Sequence, residues 1–290
     1  MAHGVVLIGL AAVSWGTTGS VMAVLGERAA ASPLLVGAVR LWIAAALLLA
    51  SAWLVVRWPE ITRGDALRCL AAGTCMAGYQ AAYFTAVTLS GIAVTALVAI
   101  CSAPLMIAAM APFALGERLG GRVRVALGLG VLGAALLIAV PHGALDLSAR
   151  FVAGALLALA AGLAYALYVI LTKATLARVA PLPLTALTFT AGAVLLTPAI
   201  LWTDAPLRQL ALGWPWLLYL GAVATAGAYA IYSVGLRRVP ASVAGIVTLV
   251  EPLTATLLGV LIFGERLGPA GILGALLLFS ALGLLIVKKR

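Results

Sequence analysis

Two ionisable side chains stand inside long apolar stretches of this 290-residue chain, and both could handle a charged small molecule. Glu251 sits about ten residues from each end of the stretch 241–263, roughly 15 Å from either interface if that stretch crosses a bilayer. It directly precedes Pro252, whose missing N–H frees a carbonyl one turn back and favours local unwinding. An acid beside such a break could bind a substrate amine or carry a coupling proton. The plainer reading is a structural acid, neutral or paired with an arginine, that ties its helix to its neighbours. Arg40 enters the stretch 34–56 by about six residues, or ~9 Å. Its guanidinium could hold a carboxylate bidentately, or it could snorkel outward or meet a helix terminus.

Aromatic and polar side chains cluster at comparable depth. Tyr79 and Tyr83, Tyr165 and Tyr168, and Tyr229 and Tyr232 are each three or four residues apart, which puts each pair on one helix face. Tyrosine hydroxyls in hydrocarbon need partners, so these faces could line a path through the protein. Packing in a core or an interfacial belt is the alternative. Ser14, Trp15 and Thr18 in the first stretch, with Gln80 beside Tyr79, would complete a polar-aromatic pocket.

Other chemistries are poorly supported. Gly128, Gly130 and Gly133 satisfy GxGxxG, but no strand precedes them, and small residues for close helix packing explain them better. No phosphate-binding GxxxxGK[ST] pattern occurs. His3, His142, Asp65, Asp146 and Asp204 all fall at ends or in links, so neither a Ser–His pair nor an aspartyl dyad forms at membrane depth, and an enzyme is not expected. Cys69, Cys75 and Cys101 have no CxxC spacing and read as small core residues. No cofactor or metal is expected.

The elements that position these residues follow from composition. The chain is 65% apolar and only 9% charged, far from the roughly one-quarter charged share of soluble domains. Ten apolar spans are expected, at 5–25, 34–56, 66–88, 92–113, 122–140, 151–172, 183–202, 216–236, 241–263 and 269–287, each about the twenty residues a crossing needs. The third and fourth should part at Ser90-Gly91. Met1–Gly4 carries no Lys or Arg, so the first span reads as a mature helix rather than a signal peptide. Net charge is +10, but no basic patch interleaved with aromatics appears, so nucleic acid is not an expected partner. With the N-terminus inside, thirteen Lys and Arg residues fall in inner links and four (Arg28, Arg150, Arg208 and Arg266) in outer ones. Both termini are therefore expected in the cytoplasm. Trp214 and Trp216 fit an interfacial belt beside the eighth span.

The chain also repeats itself. Gly116-Glu117-Arg118-Leu119-Gly120 recurs as Gly264-Glu265-Arg266-Leu267-Gly268, and at the same offset Pro104 falls on Pro252 and Ala96 on Ala244. Pro33 aligns with Pro183, which makes Thr190 the counterpart of Arg40. The expected units are 1–146 and 147–290, with five spans each. An odd number inverts the second unit, an arrangement in which two halves can exchange packings across a midplane site.

These residues resemble the drug/metabolite transporter superfamily, in its ten-helix form with two EamA domains. The resemblance rests on Leu10-Ala11-Ala12-Val13-Ser14-Trp15-Gly16, on Val39-Arg40-Leu41, and on two longer segments. Those run from Ser102-Ala103-Pro104 to Gly116-Glu117-Arg118 and from Val250-Glu251-Pro252 to Gly264-Glu265-Arg266. It implies an all-α polytopic protein of the cell (inner) membrane that moves amino acids, metabolites or drugs by alternating access, usually outward. Amino-acid exporters of this superfamily, the YddG type among them, are the nearest expectation. One acid, one base and many aromatics suit a zwitterion with an apolar or aromatic side chain. The expected partners are that small molecule, membrane lipids and a coupling proton at Glu251. A multidrug or other metabolite exporter, a passive channel and an intramembrane enzyme are the alternatives.

Overall fold

The computed structural model describes residues 1–55, 61–138, 148–263 and 268–286, and among these the regular structure is helical throughout. Ten helical segments follow in chain order. The first five are α1 Ala2–Ala29, α2 Pro33–Val55, α3 Arg63–Ser90, α4 Ile92–Leu115 and α5 Gly121–Ile138. The others are α6 Ala149–Thr175, α7 Pro181–Leu201, α8 Pro206–Arg238, α9 Ala241–Ile262 and α10 Pro269–Ile286. Eight are long and apolar enough to cross a membrane, and Pro269–Leu285 is a shorter apolar helix. α3 is not among the eight despite its 28 residues. Its charged first turns, together with Tyr79, Gln80 and Tyr83, lower its apolar average.

Local chemistry sets the helix ends. Thr62 caps α3 by accepting the Asp65 N–H, and its hydroxyl donates back to the Asp65 carboxylate at 2.6 Å. α3 ends at Gly91, whose φ of +83° suits glycine, so the break expected at Ser90-Gly91 is present. α8 starts at Pro206, about three turns before the expected 216, because Pro206 opens a helix readily and nothing up to Trp216 stops it. Trp214 and Trp216 therefore belong to the helix rather than flank it. Residues 56, 139–140 and 287 of the expected second, fifth and tenth spans, His142 and Asp146, the boundary at 146/147 and most of the second Gly-Glu-Arg-Leu-Gly segment lie outside the described residues.

The outer surface is apolar. Phe113, Leu54, Leu261 and Trp53 are among many large exposed hydrophobics spread over the helices. That pattern suits lipid as the solvent, with backbone groups satisfied inside each helix. Small residues bring the helices close together. A Cβ on Gly133 would lie 2.7 Å from the Gly274 carbonyl, and one on Gly130 falls near Leu249 and Ala281. Gly128 faces no neighbour within 4 Å, so two of the three GxGxxG glycines serve packing.

Neighbouring helices run antiparallel across the middle of the molecule. Gly4 of α1 meets Arg238 and Val239 at the end of α8, whereas Thr17 bonds Tyr219 further back, near its middle. In the same way Gly154 of α6 meets Ser90 at the end of α3, whereas Tyr165 meets Tyr79 further back. α5 and α10 also pack antiparallel, with Gly130 near Ala281 and Gly133 against Gly274.

Candidate functional site

A cavity of about 730 Å³ lies between α1, α2, α3, α4, α6, α8 and α9, with the end of α5 touching it at Ile138. Nine of the residues expected from the sequence line it: Trp15 and Thr18, Arg40, Tyr79, Gln80 and Tyr83, Tyr165, Tyr229 and Glu251. Ser14, Tyr168 and Tyr232 do not. Tyr168 and Tyr232 are fully buried, and they join Phe189 in an aromatic layer against Tyr229.

The aromatic rings form one connected wall. Tyr83 touches Tyr79 with centroids 5.7 Å apart, Tyr79 touches Tyr165 at 5.6 Å, and Tyr165 meets Trp15 edge-on at 6.5 Å. Trp15 in turn lies 4.7 Å from Tyr229 and 5.3 Å from Tyr232. Such offset and edge contacts hold rings rigidly, and they present both apolar faces and polar tips to a ligand. The Trp15 indole nitrogen and the Thr18 hydroxyl are buried with no hydrogen-bond partner among the described residues.

Three helices lose their regular turn around this cavity. α1 is interrupted at Thr17, whose hydroxyl donates to the Ser14 carbonyl at 2.7 Å. α8 widens into a π turn over Ala222–Gly227. α9 is interrupted between Val247 and Val250, where Pro252 leaves the Thr248 carbonyl without its α-helical donor and Glu251 N–H takes it instead at 3.0 Å. The unwinding expected at Pro252 is thus present. In the first half α4 runs unbroken through Pro104, so the repeat has not preserved the break. Glu251 consequently sits in the first turn of a new helical segment, where the helix dipole favours a negative charge.

Arg40 is 7% exposed, and its Nε donates to Thr225 Oγ1 at 2.9 Å inside the π turn. No ion pair joins Arg40 to Glu251 among the described residues. The cavity therefore brings Arg40 and Glu251 to one chamber without pairing them to each other, and Glu27 adds a second carboxylate to the lining.

The cavity opens at the end of the bundle that carries the α1–α2 and α3–α4 links, where Glu27, Pro33, Val87 and Ile92 line it. The opposite end is closed by polar contacts. Glu117 accepts the N–H groups of Ala241 and Ser242 at 2.5 and 3.1 Å and the Ser242 hydroxyl at 2.9 Å, capping α9 from the first half of the chain. Lys173 Nζ donates to the carbonyls of Leu236 and Val239, both at 2.7 Å, at the end of α8. Asp65 pairs with Arg178 at 3.4 Å.

Sequence reasoning missed Glu27, Thr248, Glu117 and Lys173. For Glu117 a signal existed, since a charged residue recurs with its whole segment in both halves.

A multi-pass helical bundle enclosing a charged, aromatic chamber open to one end is the build of a membrane transporter. The chain belongs to the EamA-like transporter family, which it matches over residues 2–139 and 152–287. It is 37% identical over 287 residues to the uncharacterized transporter YwfM of Bacillus subtilis (strain 168), covering 96% of this chain and 91% of that protein. An uncharacterized transporter of Archaeoglobus fulgidus is 28% identical over 210 residues, 72% of each chain. A solved crystal structure shares the fold with a TM-score of 0.83 at 23% identity, spanning 99% of this chain and 97% of its own.

Proposed function

We propose that this protein is a secondary transporter that exports amino acids with apolar or aromatic side chains across the cell (inner) membrane by alternating access, with both termini in the cytoplasm. It is built from two inverted five-helix units, 1–146 and 147–290. The observation that carries the substrate reading is the pairing of Arg40 and Glu251 on one aromatic-walled chamber. A carboxylate would meet the guanidinium, an ammonium would meet the Glu251 carboxylate, and the side chain would lie against Trp15, Tyr79 and Tyr229. Bidentate charge-assisted bonds and ring contacts suit such a zwitterion.

The antiparallel packing of α5 on α10 supports inversion, because those two helices are counterparts in the repeat. Counterparts that touch and run in opposite directions are related by an axis across the helices, lying in the membrane plane. The closed end held by Glu117 and Lys173, opposite an open end, supports alternation between two packings. Glu251, at a helix break, is the group assigned to proton coupling.

Saturable binding of labelled phenylalanine to the purified protein, displaced by leucine and tryptophan but not by glucose, is the expected result. Displacement by lipophilic cations alone would instead favour a multidrug exporter. No saturable binding of any amino acid would overturn the reading.

A further inference from the structure

The Thr225 hydroxyl acts both as a donor and as an acceptor. It donates to the Leu220 carbonyl five residues back at 2.7 Å, and its oxygen accepts from Arg40 Nε at 2.9 Å. The direction of each bond is forced, since a carbonyl cannot donate and a guanidinium cannot accept. The i, i+5 reach belongs to the wide π turn over Ala222–Gly227, a distortion that often marks functional positions. Thr225 is 1% exposed and Arg40 7%, so the pair is shielded from water.

With Nε committed, the bidentate edge left to Arg40 is the one formed by its two terminal nitrogens. Among the described residues no other partner takes them, and Arg40 borders the chamber. The pair has no counterpart in the repeat. Thr190 stands where the second half would carry the arginine, and its hydroxyl turns back to the Ala186 carbonyl.

We propose that Thr225 is a positioning residue. The π turn of α8 aims the terminal nitrogens of Arg40 into the chamber as a fixed, end-on anchor for a carboxylate, so that recognition requires this group on the ligand. This inference rests on the amino-acid reading above and deepens it.

The test compares Thr225→Val, which keeps the shape but removes the acceptor, with Thr225→Ser, which restores it. Thermal stabilisation of the purified protein is measured with phenylalanine, phenylalaninamide and phenylacetate, alongside proteoliposome counterflow. In the wild type, phenylalanine and phenylacetate should stabilise and the amide should not. Thr225→Val should raise the half-saturating concentration of both carboxylates at least about tenfold, and Thr225→Ser should recover most of the loss. That size follows from losing one hydrogen bond to a charged group. No loss for either carboxylate in Thr225→Val, or a loss that Thr225→Ser does not recover, would overturn the positioning role. If Thr225→Val does not fold, Thr225→Ser with near-wild-type half-saturating concentrations for both carboxylates still supports the role, and a folded Thr225→Ser that loses protection by both defeats it. Protection of the wild type by neither carboxylate would sink the anchor itself. Protection by phenylacetate without amino-acid counterflow would sink the amino-acid reading and leave the anchor standing.

Discussion

The carboxylate of Glu117 grips Ser242, 125 residues further along the chain, through both its backbone N–H at 3.1 Å and its hydroxyl at 2.9 Å. One end of the first half is thereby fastened to the start of α9 in the second, on the side where the chamber is closed. Hydrogen bonds to a charged group contribute about 1.5–3 kcal/mol each. Removing this grip should therefore shift the balance towards opening at that end by about tenfold or more. In Glu117→Ala, a cysteine replacing the buried Thr172 in a background lacking Cys69, Cys75 and Cys101 should react several-fold faster with a maleimide supplied from the side of the termini. Unchanged reactivity would mean that Glu117 only caps a helix.

The proposed function gives Glu251 the coupling proton, and a neutral substitution tests it. Glu251→Gln keeps size and hydrogen bonding while fixing the neutral form. Accumulation driven by a pH gradient should fall to the background level, while exchange of substrate for substrate continues at a raised half-saturating concentration, because the substrate ammonium loses its countercharge. A variant that still accumulates substrate in response to the gradient would remove Glu251 from coupling.

The chamber wall should decide which side chains are accepted. Trp15 touches Tyr165, Tyr229 and Tyr232, and its own N–H has no partner among the described residues. Trp15→Ala should weaken binding of aromatic amino acids by about tenfold, the scale of an aromatic pair plus its buried area. Trp15→Phe should be milder. Competition against labelled phenylalanine reads both.

Packing of α5 on α10 depends on two glycines that meet backbone to backbone. Gly133→Leu should lower thermal stability strongly, by about 1–3 kcal/mol or more from overpacking. Gly128→Leu, on the same helix but facing no neighbour within 4 Å, should be close to neutral. Equal effects at the two positions would contradict the packing described for Gly133.

Much of this was legible in the sequence because a membrane leaves few options. Apolar runs set the helices, the Ser90-Gly91 break follows from glycine chemistry, and Pro252 predicts where α9 opens. Tyrosine spacing placed Tyr79 and Tyr83 on one face, as their ring contact shows, whereas the contact of Tyr165 with Tyr79 is a product of helix packing. What stayed hidden depends on contacts between distant segments. Nothing local to Thr225 announces that its hydroxyl receives Arg40 from 185 residues away. Tyr168 and Tyr232 share their faces with Tyr165 and Tyr229, yet they lie off the chamber lining. Helical spacing fixes a face but not where along that face the cavity ends. The early start of α8 escaped notice because its first turns are too polar to read as a crossing, although Pro206 marks a good helix start.

Counterflow in proteoliposomes tests the central claim most directly. Vesicles containing the protein are loaded with unlabelled leucine and phenylalanine, and entry of labelled phenylalanine is followed. The account predicts saturable entry that the internal amino acids accelerate, that Arg40→Ala abolishes, and that phenylalaninamide does not inhibit. Entry at the rate of empty vesicles, with monodisperse and thermally stable protein, would contradict it.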